Sequence, residues 1–441
     1  MILEVLNDYC LIHIFQFLSI FDRVRTEVVC KRWRRLSQDS WCKMTRLDMS
    51  HLTWGCSTYM INTVMLRKVL LKCGRFLKEL HVPNIRETNT TNFNTTVLFI
   101  ISQHCPNLTS IDVSEIIISV KDLELLLKIH KNITKLTVGM LKNLDYGLNF
   151  FQECLELNYF EVCSDICFSG AYLSCLPAQT IRTLIIKRCS RIDDTEFSMG
   201  LAKLKNLEHL EIWISRIDKK VMEVISNCCT NLKELQIHEL ITNCYGFEQY
   251  ADKLEFINLV NLQVLKITHF PLSEKHLIDI ATNCLQITYL DISGSFYVNN
   301  AALIAATALP KLEYLYISYL PNITSYGLEN IKNLKGLVCR GCPAITDSGI
   351  YKVLVSSPRL RLLDISYCPQ VTNSTYKFAK MICNSRPTKT ILKMYIYGTQ
   401  ILADKHTIIC SSSVYMARVK CGAICKGSTS AMFLAELEKL L

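Results

Sequence analysis

A short aliphatic pattern recurs through most of this 441-residue chain and constrains its fold more than any other feature. An aliphatic residue, two variable ones, a second aliphatic, one variable and a third aliphatic occur at Leu77, Leu80 and Val82, at Leu108, Ile111 and Val113, and at Ile133, Leu136 and Val138. Further copies begin at Leu157, Ile181, Leu207, Leu232, Leu262, Ile287, Leu312, Leu334 and Leu360, with a weaker one at Ile391. Nine of the twelve intervals between these thirteen starts are 22–26 residues long, a spacing typical of stacked repeats. The alternation at the head of each copy is a strand with one buried face. Between strands, residues such as Val221, Val224 and Ile225 recur at helical spacing. One such unit cannot bury its own apolar face, so copies must stack. Because the strand side is narrower than the helix side, the stack curves.

Cysteine follows the same period. Cys189, Cys342 and Cys368 fall five residues after the second aliphatic of their copies, and Cys105, Cys229 and Cys284 precede the first by three. With these cysteines the pattern resembles the cysteine-containing subtype of leucine-rich repeat. That resemblance implies an α/β solenoid over residues 46–400, a curved leucine-rich-repeat horseshoe with parallel concave strands and outer helices. Periodic cysteines read as small buried residues that fill a turn. This reading also covers Cys339 and Cys342, whose spacing alone would suggest zinc or redox chemistry. The Asn/Thr-rich stretch from Asn84 to Thr96 reads as a surface loop insertion that lengthens the first interval. Residues 401–441 lose the pattern and read as a tail, with a short amphipathic helix expected from Ala431 to Leu441 that either caps the array or folds back over its concave face.

The first forty-five residues have a different period. Leu11, Ile14, Phe15 and Leu18 share one helical face, and Val24, Val28, Val29, Trp33 and Leu36 share another after a break at Ser19 to Asp22. A core of this size is marginal alone. Leu6, then Ile14-Phe15 with Leu18, then Val29-Cys30-Lys31-Arg32-Trp33 and finally Trp41 resemble, in that order, the F-box. Asn7 stands where that family has proline; asparagine is a good N-cap, so the helix is expected to survive. An F-box at 1–45 followed by cysteine-containing repeats resembles the F-box/leucine-rich-repeat family over nearly the whole chain. The resemblance implies a Skp1-binding surface drawn from Leu6, Leu11, Ile14, Phe15, Leu18, Val29, Cys30, Trp33 and Trp41. It implies a cullin reached through Skp1 and a protein substrate held by the repeats.

Composition narrows the remaining readings. Lys and Arg exceed Asp and Glu by 10 without a dense basic patch, so no nucleic-acid partner is expected. The apolar stretch from Tyr9 to Phe21 lacks the basic start and small-residue cleavage site of a secretory signal. No apolar run is long enough to span a membrane. The expected setting is therefore cytoplasmic, nuclear or both, with the 22 cysteines reduced rather than paired. No phosphate loop, zincin or nucleophile elbow is present, and no catalytic, cofactor or metal site is assigned. The expected role is a non-catalytic adaptor, the substrate-recognition subunit of a Skp1–cullin–F-box (SCF) ubiquitin ligase. The rival reading is a leucine-rich-repeat scaffold whose N-terminal helices only cap the array; a secreted recognition protein, suggested by the Asn-x-Thr sequons, is a third. Variable strand positions should face the concave side, which makes Trp213, Tyr289, Tyr314, Tyr316 and Arg340 the candidate substrate contacts.

Overall fold

The computed structural model describes residues 6–48, 51–56, 61–82, 93–142, 149–214, 219–239, 256–386, 391–401, 409–410 and 414–417. The chain forms two compact units, Met1–Leu207 and Glu208–Leu441. The first begins with three short helices, α1 (Asp8–Gln16), α2 (Ile20–Thr26) and α3 (Lys31–Trp41). Each starts on a residue whose side chain satisfies a free backbone N–H of the first turn. Asn7 Oδ1 accepts from Cys10 N at 2.8 Å, Ser19 Oγ from Asp22 N at 3.1 Å, and Cys30 Sγ from Trp33 N at 3.4 Å. Asn7 thus preserves the first helix in place of proline.

The repeats of this unit supply β1 (Arg46–Leu47), β2 (Glu79–His81), β3 (Ser110–Val113), β5 (Lys135–Val138), β7 (Tyr159–Cys163) and β8 (Thr183–Lys187), each pairing in parallel with the next. Two short strands, β4 (Ile118–Ser119) and β6 (Leu141–Lys142), pair separately. Five helices pack behind them: α4 (His51–Trp54), α5 (Thr63–Cys73), α6 (Phe93–His104), α7 (Val120–Ile129) and α8 (Asp194–Lys203).

The second unit continues the plan with β9 (His209–Ile214), β10 (Glu234–Glu239), β11 (Val264–Thr268), β12 (Tyr289–Asp291), β13 (Tyr314–Tyr316), β14 (Gly336–Val338), β15 (Leu362–Asp364) and β16 (Leu392–Tyr395), all parallel. Its helices are α9 (Lys219–Cys228), α10 (Glu274–Asn283), α11 (Asn300–Thr307), α12 (Asp347–Ser356) and α13 (Asn373–Asn384).

Every one of the thirteen copies read from the sequence carries one strand. In register, Leu47, Leu80, Ile111, Leu136, Phe160 and Leu184 form one inward row. Leu210, Leu235, Leu265, Leu290, Leu315, Leu337, Leu363 and Met394 form the corresponding row of the second unit. All fourteen are buried. Each contributes about 2 kcal/mol only because a neighbouring copy covers it.

Three expectations need correcting. The tail was expected to lose the pattern at residue 401, yet β18 (Val414–Ala417) pairs in parallel with β16, and β17 (Ile409–Cys410) folds back on it antiparallel. Main-chain pairing does not need a strong aliphatic signature, so the sequence pattern fades before the strands do. The predicted cap from Ala431 to Leu441 lies outside the described residues. The loop expected over 84–96 ends earlier, because α6 already starts at Phe93; residues 83–92 are not described. Finally, a helix does not follow every strand. The three shortest intervals, 24, 24 and 22 residues, hold 3-10 turns instead: Asn149–Glu153, Ala171–Cys175 and Ser325–Leu328.

The periodic cysteines fill turns, as their spacing suggests. Cys342 Sγ donates to Ile317 O and Cys368 Sγ to Cys339 O, each at 3.1 Å, so a thiol ties each turn to the copy before it. The described cysteines are all free thiols. Burial pushes the thiols of Cys105, Cys229 and Cys284 up to about 12. Such thiols stay protonated and inert.

Candidate interaction surfaces

The N-terminal helices form one small core and one open apolar surface. Leu11, Phe15 and Leu36 make the core, with Leu6, Ile12, Leu18 and Trp33 packed against it; the Phe15 and Trp33 rings lie 5.2 Å apart. Asp8 binds α3 to α1, accepting from Arg32 Nε at 2.9 Å and Arg35 Nη2 at 2.7 Å. The Arg32 hydrogen bond, helped by the charge of both guanidiniums, holds the Asp8 carboxyl below its usual range. At the far end Trp41 donates its Nε1 to Glu27 at 3.1 Å and lies 4.8 Å beneath the Arg23 guanidinium. Glu27 also accepts from Lys72 Nζ of α5, at 2.7 and 2.9 Å, so one carboxylate joins the helical domain to the first repeat.

Of the nine residues expected at the adaptor surface, the structure places Leu11, Phe15 and Trp41 inside the fold, each 1% exposed. They build the domain and cannot be touched by a partner. Leu6, Leu18 and Trp33 are half-buried, while Ile14, Val29 and Cys30 face solvent. Sequence reasoning missed the most exposed apolar side chains: Tyr9 at 85%, Phe17 at 78% and Val28 at 77%. The signal was present. Helical spacing turns 9 and 17 away from the core positions Leu11 and Phe15, whereas Val28, expected on one helical face with Leu36, lies in the turn between α2 and α3; apolar residues facing away from a core are unusual for a domain that stands alone.

The strand face of the second unit carries the other candidates. Residues on either side of the inward row point away from the core. Tyr289 stacks on Tyr316 at 4.9 Å and on Tyr314 at 6.1 Å, and Val338, Leu362 and Tyr395 complete the cluster. Tyr316 was expected to face a partner; instead it is 8% exposed, covered by these rings. Burial pushes its hydroxyl up to about 12, against the hydrogen bond from Tyr289. Arg340 lies over the Tyr367 ring at 4.8 Å. Trp213 belongs to a different neighbourhood, stacked 4.2 Å from His238 and bonded to Glu211. There His209 Nδ1 lies 2.8 Å from Glu234 Oε2 and its Nε2 3.7 Å from Glu211 Oε2. Burial opposes charge on that ring, but the two carboxylates outweigh it and raise the imidazole to about 9. The structure therefore brings Tyr289, Tyr314 and Tyr316 together, places Arg340 beside Tyr367 and leaves Trp213 in another setting. Tyr367, Tyr395 and Lys266, absent from the sequence-based set, belong to the same face.

Among the described residues, no group of three or more His, Cys, Asp or Glu side chains is placed to hold a metal ion. Nor is any helix there long and apolar enough to cross a membrane.

Comparison with known proteins agrees with this geometry. The family model for the F-box domain matches residues 3–45. A Caenorhabditis elegans protein named putative RNA-binding protein EEED8.10 is 24% identical over 82% of this chain and 46% of its own length. Human F-box/LRR-repeat protein 12 is 24% identical over 47% of this chain and 62% of its own. Bovine F-box/LRR-repeat protein 4 is 25% identical over 45% and 28%. The chain thus spans less than two thirds of the length of each of these relatives. Among solved structures, the yeast Rad7–Elc1 complex contains a chain that superposes with a TM-score of 0.51 at 15% identity, covering 88% of this chain and 94% of that one. With an F-box domain at its start and a stack of parallel-strand leucine-rich repeats after it, the chain has the domain order of the F-box/leucine-rich-repeat proteins it resembles.

Proposed function

We propose that this protein is the substrate-recognition subunit of an SCF-type ubiquitin ligase, docking on a Skp1-type adaptor through its F-box and presenting a protein substrate on its repeats. The observation that carries the reading is the exposed apolar set on α1 to α3. Tyr9, Phe17, Val28 and Val29 face solvent on a domain whose small core is already closed by Leu11, Phe15 and Leu36. Such a surface is best explained by a partner that covers it. Rad7, whose fold this chain shares, occurs in a complex with Elc1. The role needs no reaction centre, since a ligase adaptor acts by holding its substrate near the charged enzyme. The RNA-binding label on the nematode relative is not adopted, because this chain matches less than half of that protein.

The test is capture of the full chain by purified Skp1, alongside Phe17→Asp and Val28→Asp. Both side chains lie outside the core, so thermal stability should hold while capture falls at least about ten-fold, a charge now facing an apolar interface. If the unsubstituted chain does not bind Skp1, the scaffold reading with a helical cap replaces this one.

A further inference from the structure

The exposed apolar surface of the F-box does not stop where the family match ends at residue 45. On α2, Ile20, Arg23 and Thr26 point inward, whereas Phe21 and Val24 are exposed and Val28 follows them in the turn. Two helices of the first repeat continue this side. The first, α4, is pressed against the start of α2: a Cβ on Gly55, just past α4, would lie 2.3 Å from Ser19 Oγ and 3.5 Å from Phe21 Cβ. Leu52 of α4 is 87% exposed, more than any other large apolar side chain among the described residues. The second, α5, is joined to the F-box by the Lys72–Glu27 pair, so Leu71 and Val28, each next in the chain to one of its members, stand at the same junction. Leu66, Val69, Leu70 and Cys73 bury one side of α5. The opposite side carries Val64 and Leu71, each 60% exposed, and between them the exposed Arg67 and Lys68, at i, i+3, i+4 and i+7. Among the described residues neither cation has an ion-pair or hydrogen-bond partner.

We propose that the adaptor-binding surface extends beyond the F-box onto α4 and α5, where Leu52, Val64 and Leu71, flanked by Arg67 and Lys68, take an apolar, acid-rimmed part of the same Skp1-type adaptor. The inference rests on the receptor reading and adds to it that the adaptor grips the first repeat as well as the F-box. A single apolar residue exposed on a helix, such as Phe99 on α6, is ordinary. A stripe that adjoins another exposed apolar surface is not, and marks a site that a partner covers. Interface size points the same way. A stable interface draws about 20–30 residues from each side. The F-box offers residues 3–45, and these must also close their own core and seat against the first repeat. Exposed cations beside the stripe call for carboxylates opposite them.

The test is the affinity of the full chain for purified Skp1, measured by biolayer interferometry on the parent and three variants. Leu52→Asp with Leu71→Asp puts charge into the apolar stripe, and Arg67→Glu with Lys68→Glu reverses its rim. Phe99→Asp charges an exposed apolar side chain one helix further along the array. All five side chains are exposed, so circular dichroism should give the parental melting temperature for each variant. Both paired variants should bind Skp1 at least about ten-fold more weakly, and the loss in the charge-reversed pair should shrink as salt rises. Phe99→Asp should bind like the parent. Parental affinity in either paired variant, or an equal loss in Phe99→Asp, would overturn the inference. Should the aspartate pair melt early, the Arg67 and Lys68 pair decides alone, since it leaves the apolar stripe intact. Val28→Asp in the same series keeps the two readings apart. A parent that does not bind Skp1 removes the receptor reading. A parent that binds, and loses binding with Val28→Asp but not with the paired variants, removes only the extension onto the repeat.

Discussion

His130 shows at the residue scale how a repeat tolerates an ill-suited side chain. It stands three residues before Ile133, the place that Cys105, Cys229 and Cys284 occupy in their copies. The ring is 4% exposed and neither nitrogen has a hydrogen-bond partner. Burial lowers its pKa below the ordinary 6.5, so the folded protein keeps it neutral. A histidine depressed in this way leaves stability whole above the unfolded value and erodes it as pH falls below that value toward the folded one. We expect His130→Cys, the choice of the other repeats, to add about 1–2 kcal/mol by removing two unmet polar atoms. Calorimetry should show a higher melting temperature at neutral pH and a flatter decline as pH falls below 6.5. A variant no more stable than its parent would mean that the ring is satisfied by water.

At the element scale two regularities govern the repeats. Connector type follows interval length: 24 residues or fewer give a 3-10 turn, and 25 or more give an α-helix wherever the connector is described. A 3-10 turn climbs about 2.0 Å per residue against about 1.5 Å for an α-helix, so a short connector spans the same gap with fewer residues. The second regularity is a left-handed residue seven positions after eight of the thirteen starts. Ser164, Arg188, His269, Tyr319 and Tyr367 adopt φ of 56–59°, and Gly294, Gly341 and Gly398 adopt 67–74°. This conformation lets six of the eight send their N–H to the next copy, as Tyr319 N does to Arg340 O at 2.7 Å and Gly341 N to Ser366 O at 2.8 Å. In the second unit rings and glycines alternate here because a ring lies over the following copy's backbone. A Cβ on Gly341 would sit 2.6 Å from Tyr319 Cδ1. We expect Gly341→Ala to cost about 2 kcal/mol, part backbone strain and part collision. Adding Tyr319→Ala should relieve the collision, so denaturant titrations of the double-mutant cycle should be non-additive. Additive losses would show that the backbone alone forbids the side chain.

On the scale of the whole molecule, Glu27 ties the F-box to the repeats behind it. Its side chain meets the Trp41 indole and the Lys72 ammonium together. Replacing it with alanine strands a buried indole N–H and a half-buried cation, a loss on the order of 2–3 kcal/mol. In Glu27→Ala the tryptophan fluorescence transition, dominated by Trp33, Trp41 and Trp54 of the first unit, should move below the circular dichroism transition of the repeats. Coincident midpoints would mean that the domain is anchored elsewhere.

The sequence alone determined the thirteen strands, their parallel stacking and the presence of an F-box, because a buried aliphatic row and a capped amphipathic helix are written in local spacing. The fate of Asn7 was readable from one turn of helix, whereas the Cys30 cap came only with the structure. Which apolar residues face out could be decided only by the tertiary structure. Trp41 and Phe15 looked like contacts and prove to be core, because Glu27, Arg23 and Trp33 close over them from positions distant in the chain. Tyr316 vanished under its neighbours for the same reason: register across three strands, absent from any single repeat, decides which ring lies uppermost. The withdrawal of Asp291 and Asp364 into their turns likewise depends on packing between copies that spacing does not record.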